Sequence, residues 1–171
     1  MLNVFGEPKF LIQIEAPKTN IIIGVPSKGD YLLMLQGQFS ASEYIEKYGI
    51  CKEIPPLTES MAEKIIEDIR KLLKEYRDKN KDYLEVPQKA DYRISQEDNE
   101  FPILTHADNL VYRHSGLTFR EQLDLPITEY WLLLADAVKI RLSETESGRE
   151  YLNDCYTDMH AENNIRMQGV I

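Results

Sequence analysis

The chain has 171 residues, of which 43% are hydrophobic and 29% are charged, and its 29 acidic against 20 basic side chains give a formal net charge of -9. This length suits one domain, or one domain with a small satellite, and the acidic balance argues against nucleic-acid binding, which depends mainly on Lys and Arg. No run approaches the roughly 18 apolar residues that a membrane-spanning helix needs, and residues 1–9 lack the pattern of a signal peptide. We therefore expect a cytoplasmic protein that binds neither nucleic acid nor membranes.

The amino-terminal region, residues 1–57, is expected to be strand-rich. Alternating hydrophobicity over 10–15 predicts a first strand, and the β-branched run 21–23 predicts a second. The segment 31–36 is apolar enough to be a third strand or a short buried helix. We expect a small antiparallel meander here.

A short helix should follow this meander. Ser40 and Glu43 fit a capping box, in which a hydroxyl and a carboxylate satisfy two backbone amides at a helix start. The helix is predicted over 41–48, with Gly49 stopping it.

The clearest helix is predicted over residues 58–82. Thr58 is a good N-cap, and apolar side chains then recur at spacings of three or four residues. The members of this stripe are Met61, Ile65, Ile69, Leu72 and Tyr76. A core face is the default role of such a stripe, but it also suits docking of a partner helix, so these five residues are partner-binding candidates.

Residues 83–116 are expected to form an irregular connector, either a linker or a long surface excursion. They include His106, Asp108 and His114, residue types that metal ions use as ligands. On an extended chain, His106 and Asp108 would face the same way. A surface or capping role is the commoner use of so ordinary a set, and we assign no metal ligand here.

The last region, residues 117–171, is predicted to be a helical unit. Thr118 with Glu121 makes a second capping box, and Thr128 restarts a helix after Pro126. Ser143 with Glu146 makes a third box, which opens a final helix. Three short helices packed on one another would bury the apolar one in the middle.

Three residues of that middle helix are further partner-binding candidates. Trp131 and Leu134 belong to a run with hardly any polar face, which is typical of a core element. Asp136 interrupts the run, and it could pair with Lys139, with Arg141 or with an arginine elsewhere in the chain, mark the edge of an interface, or lie in a solvated gap of the helix surface.

Nothing in the sequence predicts catalysis. Phosphate-binding loops, dinucleotide glycine patterns, nucleophile elbows, zincin motifs and calcium loops are all absent. Cys155 lies near Asp158 and His160, but five residues along one helix do not bring the thiol and the imidazole together. We therefore expect no enzyme, with no catalytic, cofactor-binding or metal residues and no cofactor.

Together these patterns predict an α+β, mainly helical protein. It would have a small amino-terminal meander, a long amphipathic helix, a connector and a carboxyl-terminal three-helix unit.

Residues 117–160 resemble the short helical regions of small bacteriophage tail-module proteins, including tail assembly chaperones. The shared features are a capped "LTFRE" start, an "LDLP" break, an aliphatic "LLLADAV" helix and an "ETESGREYL" start to the last helix. The resemblance implies a non-catalytic assembly factor that covers an apolar helix of another protein, or a structural protein incorporated into a virion. It implies no catalytic residues.

Two other functions stay open from the residues. One is an acidic regulatory protein that blocks a basic surface of a partner, and the other is a small metal-dependent hydrolase built on His106, Asp108 and His114. The expected partners are other proteins of a multi-subunit assembly, and a homo-oligomer is also open.

Overall fold

The computed structural model describes residues 10–15, 18–50, 58–85 and 106–168, and side chains within 21–50, 58–85 and 106–158. The fold is mainly helical. Two strands, β1 (Phe10–Glu15) and β2 (Lys18–Ile23), pair in antiparallel register, with Phe10 opposite Ile23. The helices are α1 (Lys28–Leu35), α2 (Ala41–Tyr48), α3 (Glu59–Lys79), α4 (Lys81–Leu84), α5 (His106–Ser115), α6 (Phe119–Asp124), α7 (Ile127–Ser143) and α8 (Glu146–Gln168).

The expected third strand is a helix, so the described strands form a hairpin and the predicted meander is not confirmed. The segment 31–36 lies mostly in α1, whose first turn is capped by the Ser27 hydroxyl, which accepts the Asp30 N–H at 3.2 Å. A hydroxyl that satisfies a free amide at a helix start stabilises the helical conformation locally. Of the two alternatives, the helix is therefore the one that the backbone adopts, although the three leucines of α1 are exposed.

The helices α2 and α3 begin where their caps predict. In the capping box of α2, the Ser40 N–H donates to the Glu43 carboxylate at 2.8 Å and the Glu43 N–H donates back to the Ser40 hydroxyl at 3.3 Å. Thr58 caps α3 by accepting the Met61 N–H at 3.4 Å. Local capping chemistry sets both starts.

The connector expected over 83–116 is helical at its end, because residues 106–115 form α5. Residues 86–105 lie outside the described part. The final helix also differs in its cap: Thr145, not Ser143, accepts the Gly148 N–H at 3.0 Å, and Ser143 donates instead to the Ile140 carbonyl. The turn before α8 is so tight that a Cβ on Gly148 would lie 1.9 Å from the Leu142 carbonyl oxygen.

The chain divides into two compact units. The first contains residues 1–81 and 119–130, and the second contains 82–118 and 131–171. A separate three-helix unit over 117–171 is not confirmed, because α6 and the start of α7 group with the first unit. Described core residues of the first unit include Ile21, Ile23, Met34, Tyr44, Ile45, Ile65, Ile69 and Leu73, and those of the second include Leu84, Val111, Ala135 and Cys155.

Within the described residues, no helix combines the length and the apolar character needed to cross a membrane.

Candidate protein-binding site

A network of polar side chains fixes the start of α1. Tyr48, at the end of α2, accepts the Ser27 N–H at 2.9 Å through its hydroxyl and donates to the Asp30 carboxylate. Lys47 donates to the same carboxylate oxygen at 2.6 Å. The network therefore ties the first turn of α1 to the last turn of α2, and it involves groups that are ionised at neutral pH.

The electrostatics of the network agree with its geometry. Burial raises the pKa of Asp30, but hydrogen bonds from Lys47 and Tyr48 outweigh burial and hold that pKa below its ordinary value. The hydrogen bond to Asp30 raises the pKa of Lys47. Burial, followed by the bond to Asp30, raises the pKa of Tyr48. At neutral pH the network thus holds a carboxylate, an ammonium and a neutral phenol.

Helix α1 contacts α6, and the backbone just before α1 pairs with the backbone just after α6. The Lys28 N–H donates to the Leu125 carbonyl at 2.7 Å, the Ile127 N–H donates to the Pro26 carbonyl at 2.9 Å, and Ser27 forms an antiparallel bridge with Pro126. The helices approach closely at Gly29, where a Cβ would lie 3.3 Å from the carbonyl oxygen of Leu123. A side chain at this position would require the Leu123 backbone to move by a few tenths of an ångström.

Two further contacts hold α1 in place. The Lys28 ammonium at its start lies 3.9 Å from the centre of the Tyr130 ring, and that lysine is buried. At its end, the Arg70 guanidinium of α3 donates to the Met34 carbonyl. A cation at the carboxyl end of a helix interacts favourably with the helix dipole and satisfies a terminal carbonyl. Helix α1 is thus anchored at both ends.

Although contacts hold both of its ends, α1 exposes most of its large apolar side chains. Met34 is buried, whereas the three leucines of α1 are exposed, and two apolar side chains of α6, the helix that contacts α1, are exposed as well. We call these five residues the α1–α6 face: Leu32 (40% exposed), Leu33 (38%), Leu35 (51%), Phe119 (48%) and Leu123 (42%). Exposed apolar clusters on a folded protein are typical of binding sites.

The predicted stripe of α3 has a different environment. Ile65 and Ile69 are buried in the core of the first unit, while Met61, Leu72 and Tyr76 are half-buried. The two isoleucines therefore pack inside the chain itself, as the default interpretation of the stripe expects, and the α1–α6 face offers more apolar surface than the stripe does.

The candidates on α7 are half-buried. Trp131, Leu134 and Asp136 all belong to the part of α7 in the second unit. Lys139 donates to the Asp82 carbonyl at 2.7 Å and Arg141 lies 3.8 Å from Glu144, so these contacts place neither base on Asp136. The partial exposure of Asp136 agrees with the interpretation that it lies in a solvated gap of the helix surface.

The candidate metal ligands lie on α5, where helical geometry separates them. His106 and Asp108 are two residues apart, which on a helix places them about 200° apart around the axis. Their expected common orientation, which assumed an extended chain, is therefore wrong. Across the described residues, no group of three or more His, Cys, Asp or Glu side chains could hold a metal ion.

The thiol of Cys155 is buried within α8, and the side chain of His160 lies outside the described part.

Sequence reasoning missed the α1–α6 face, although one signal was available. Residues 31–35 hold no charge and do not alternate with polar residues, so any helix there is apolar on all sides. Such a helix is normally buried on all sides. In a short helix that packs on one side only, the same composition predicts exposed leucines.

No protein-family model, no curated protein and no solved structure matches this chain.

Proposed function

We propose that this protein is a non-catalytic assembly factor that binds another protein of a multi-subunit particle through the α1–α6 face. The resemblance of residues 117–160 suggests which particle this is. It would be a bacteriophage tail, with the protein acting as a tail assembly chaperone or as a virion-associated structural protein.

The exposure of the three leucines of α1 is the observation that carries the proposal. Fully burying such a side chain contributes about 2 kcal/mol, so covering the exposed two-fifths to one-half of all five residues of the face would contribute about 4 kcal/mol in total. Association itself costs at least about 4 kcal/mol. Burial of the face would therefore do little more than offset the cost of association, so a chaperone would need further contacts with its partner and a permanent subunit would need more still.

Affinity capture with matched variants tests this function. The double variant Leu32→Gln with Leu35→Gln removes apolar surface at exposed positions, and Ile140→Gln removes a comparable side chain (49% exposed) from α7 in the second unit. Glutamine preserves length and helix propensity. We expect tail or capsid proteins to be captured by the wild type and by the Ile140→Gln variant, but not by the double variant.

Two results would contradict the proposal. One is capture that yields no particle protein, and the other is capture of a particle protein that all three chains retain equally. Mass spectrometry of purified particles then separates the two roles, because a structural subunit stays in the particle and a chaperone does not.

A second candidate, the acidic regulatory protein, is favoured by a row of acids on α8. Glu146, Glu150, Asp154 and Asp158 are exposed and recur every four residues. Like charges at this spacing destabilise a helix by a few tenths of a kcal/mol per pair, so a solvated helix gains nothing from them. If capture returns a nuclease or polymerase, and charge-neutralising variants of this row abolish it, this second function replaces the first.

A further inference from the structure

We propose that two copies of this chain exchange the segment 119–130, so that each copy completes the first unit of the other. The proposal goes beyond the proposed function, because it concerns a second copy of the chain and not a particle protein. It follows from three features: how the first unit is built from the chain, how the segment 119–130 is held, and where α3 ends.

The first unit is assembled from two pieces of chain that are distant in sequence. Residues 1–81 form one piece and 119–130 the other, and the chain on both sides of the second piece belongs to the second unit. Along the backbone, residues 1–81 join everything that follows through one peptide bond, between 81 and 82. If the chain opens near this bond, the segment 119–130 of another copy can complete the unit, which is the basis of domain swapping.

The contacts that hold the segment 119–130 define a single docked position. Its Leu125 carbonyl accepts the Lys28 N–H at 2.7 Å, and its Ile127 N–H donates to the Pro26 carbonyl at 2.9 Å. The side chains of Gln122, Leu125 and Ile127 are buried. The same segment from a second copy would make the same hydrogen bonds and bury the same side chains, so an exchanged dimer would lose none of these contacts.

The helix breaks beside this bond, although the local sequence favours a continuous helix. Between the end of α3 and the start of α4, Asn80 has φ of -111° and ψ of 29°, whereas an α-helix has ψ of about -42°. Residues 59–84 contain neither glycine nor proline, and the helix predicted from the sequence over 58–82 runs past Asn80. A change at one residue would therefore join α3 and α4, and short connections of this kind favour exchange.

Asn80 itself stabilises the broken conformation. Its side-chain amide donates to the Tyr76 carbonyl at 2.8 Å, and its N–H donates to the Tyr76 and Arg77 carbonyls at 3.1 and 3.2 Å. Alanine would remove the side-chain hydrogen bond and is a better helix former than asparagine. Asn80→Ala should therefore shift the equilibrium from single chains toward the exchanged dimer.

A pair of cysteines reports the exchange directly. A Cβ on Gly29 would lie 3.6 Å from the Leu123 Cβ, within the range of about 3.5–4.5 Å found in disulfides. Gly29→Cys with Leu123→Cys therefore forms an intramolecular disulfide in a single chain, whereas in an exchanged dimer the two positions that meet belong to different chains. The native thiols are removed by Cys51→Ser and Cys155→Ala. The chains are refolded over a series of concentrations, oxidised and separated on a non-reducing gel.

We expect a disulfide-linked dimer whose share rises with protein concentration. Asn80→Ala should raise the dimerisation constant about tenfold, because each dimer contains two straightened helices that gain from alanine. Insertion of Gly-Gly-Ser-Gly after Asn80 should abolish the dimer, because a flexible connection lets each chain close on itself. Asn153→Ala, at an exposed position of α8, is the matched control and should leave the constant unchanged. Sedimentation velocity measures the constants on chains without the engineered cysteines.

Several results would overturn the proposal. One is an intramolecular disulfide alone at every concentration, with and without Asn80→Ala. A second is a dimer in sedimentation whose disulfides are all intramolecular, since this would be an ordinary contact between closed chains. A third is a linked share no greater than that of the single variants Gly29→Cys and Leu123→Cys, which measure chance contact. If circular dichroism shows that the cysteine pair prevents folding, sedimentation decides alone, and equal dimerisation constants for Asn80→Ala and Asn153→Ala would overturn the proposal.

Discussion

The hydrogen-bond network at the start of α1 should make a measurable contribution to stability, and a double-mutant cycle tests it. In the wild type, the carboxylate of Asp30 accepts from Tyr48 and Lys47, and the Tyr48 hydroxyl accepts from Ser27. The substitution Tyr48→Phe leaves a backbone N–H without its acceptor and a carboxylate without one donor. Hydrogen bonds to charged groups contribute about 1.5–3 kcal/mol, so we expect a loss of about 2 kcal/mol from the free energy of unfolding.

The substitution Asp30→Asn should cost less. Asparagine can still accept one hydrogen bond from Tyr48, and the lost ion pair with Lys47 is largely screened, because 56% of that lysine side chain is exposed. We expect a loss of about 1 kcal/mol. Since the two substitutions act on one hydrogen bond, the double variant should lose about 1 kcal/mol less than the sum of the single losses.

Urea unfolding followed by circular dichroism at neutral pH measures these losses. Glu46→Gln, an exposed position on the same helix as Tyr48, is the control and should change the unfolding free energy by less than about 0.5 kcal/mol. Strictly additive losses would show that Asp30 and Tyr48 do not interact. Single losses as small as that of the control would show that the network does not hold α1.

The same variants predict how stability depends on acid. The pKa of Asp30 is lower in the folded protein than its ordinary value of 3.8, so the folded state favours the carboxylate. The stabilisation is therefore fully present above about pH 4 and is lost as the pH falls through the folded pKa. The advantage of the wild type over Asp30→Asn should shrink over that interval, and a constant difference would contradict the assignment.

Three further outcomes concern the core, one turn and alkaline pH. Ile69→Ala removes a fully buried side chain of α3 and should lower the unfolding free energy by about 3 kcal/mol, measured by urea unfolding. Ile66→Ala, at a half-buried position, should lower it by clearly less. Equal losses would contradict the assignment of Ile69 to the core. Gly148→Ala should lower the melting temperature, because the forced shift of the turn costs about 1–3 kcal/mol. Ser147→Ala, at an exposed position, should leave the melting temperature unchanged. If neither substitution changes it, the turn tolerates a Cβ at Gly148. The pKa of Tyr48 is raised above its ordinary value of 10.0, so the contribution of its protonated hydroxyl to stability is present below pH 10 and is lost as the pH rises further. Tyr48→Phe should therefore reduce the loss of unfolding free energy at alkaline pH, as measured by urea unfolding. An unchanged alkaline loss would contradict this.

Elements fixed by neighbouring residues could be predicted from the sequence. The capping box of Ser40 and Glu43, the Thr58 cap and the apolar period of α3 all depend on residues within a few positions of one another. Such local signals determine where a helix starts and which of its faces is apolar. They do not determine what covers that face.

The nature of α1 could not be decided from its own residues, because its anchors are distant in sequence. Tyr48 bonds to a residue 21 positions earlier. The Leu125 carbonyl accepts the Lys28 N–H and the Ile127 N–H donates to the Pro26 carbonyl, both from a much later segment of the same unit. The cap of α8 shows the same limit at short range. Ser143 and Thr145 are both good N-cap residues, and the tight turn at Gly148 selects the second.

The contrast between α3 and α1 indicates which sequence patterns predict a binding surface. An amphipathic helix such as α3 has one apolar face, and packing of that face inside the chain buries Ile65 and Ile69 and leaves the rest of the stripe half-buried. The uncharged residues 31–35 of α1 cannot all point to one side of the helix, so α1 buries Met34 and leaves three leucines exposed. The apolar residues of α1 in excess of one helical face are therefore the reason for proposing a binding surface on α1 and the neighbouring α6, and not on the stripe of α3.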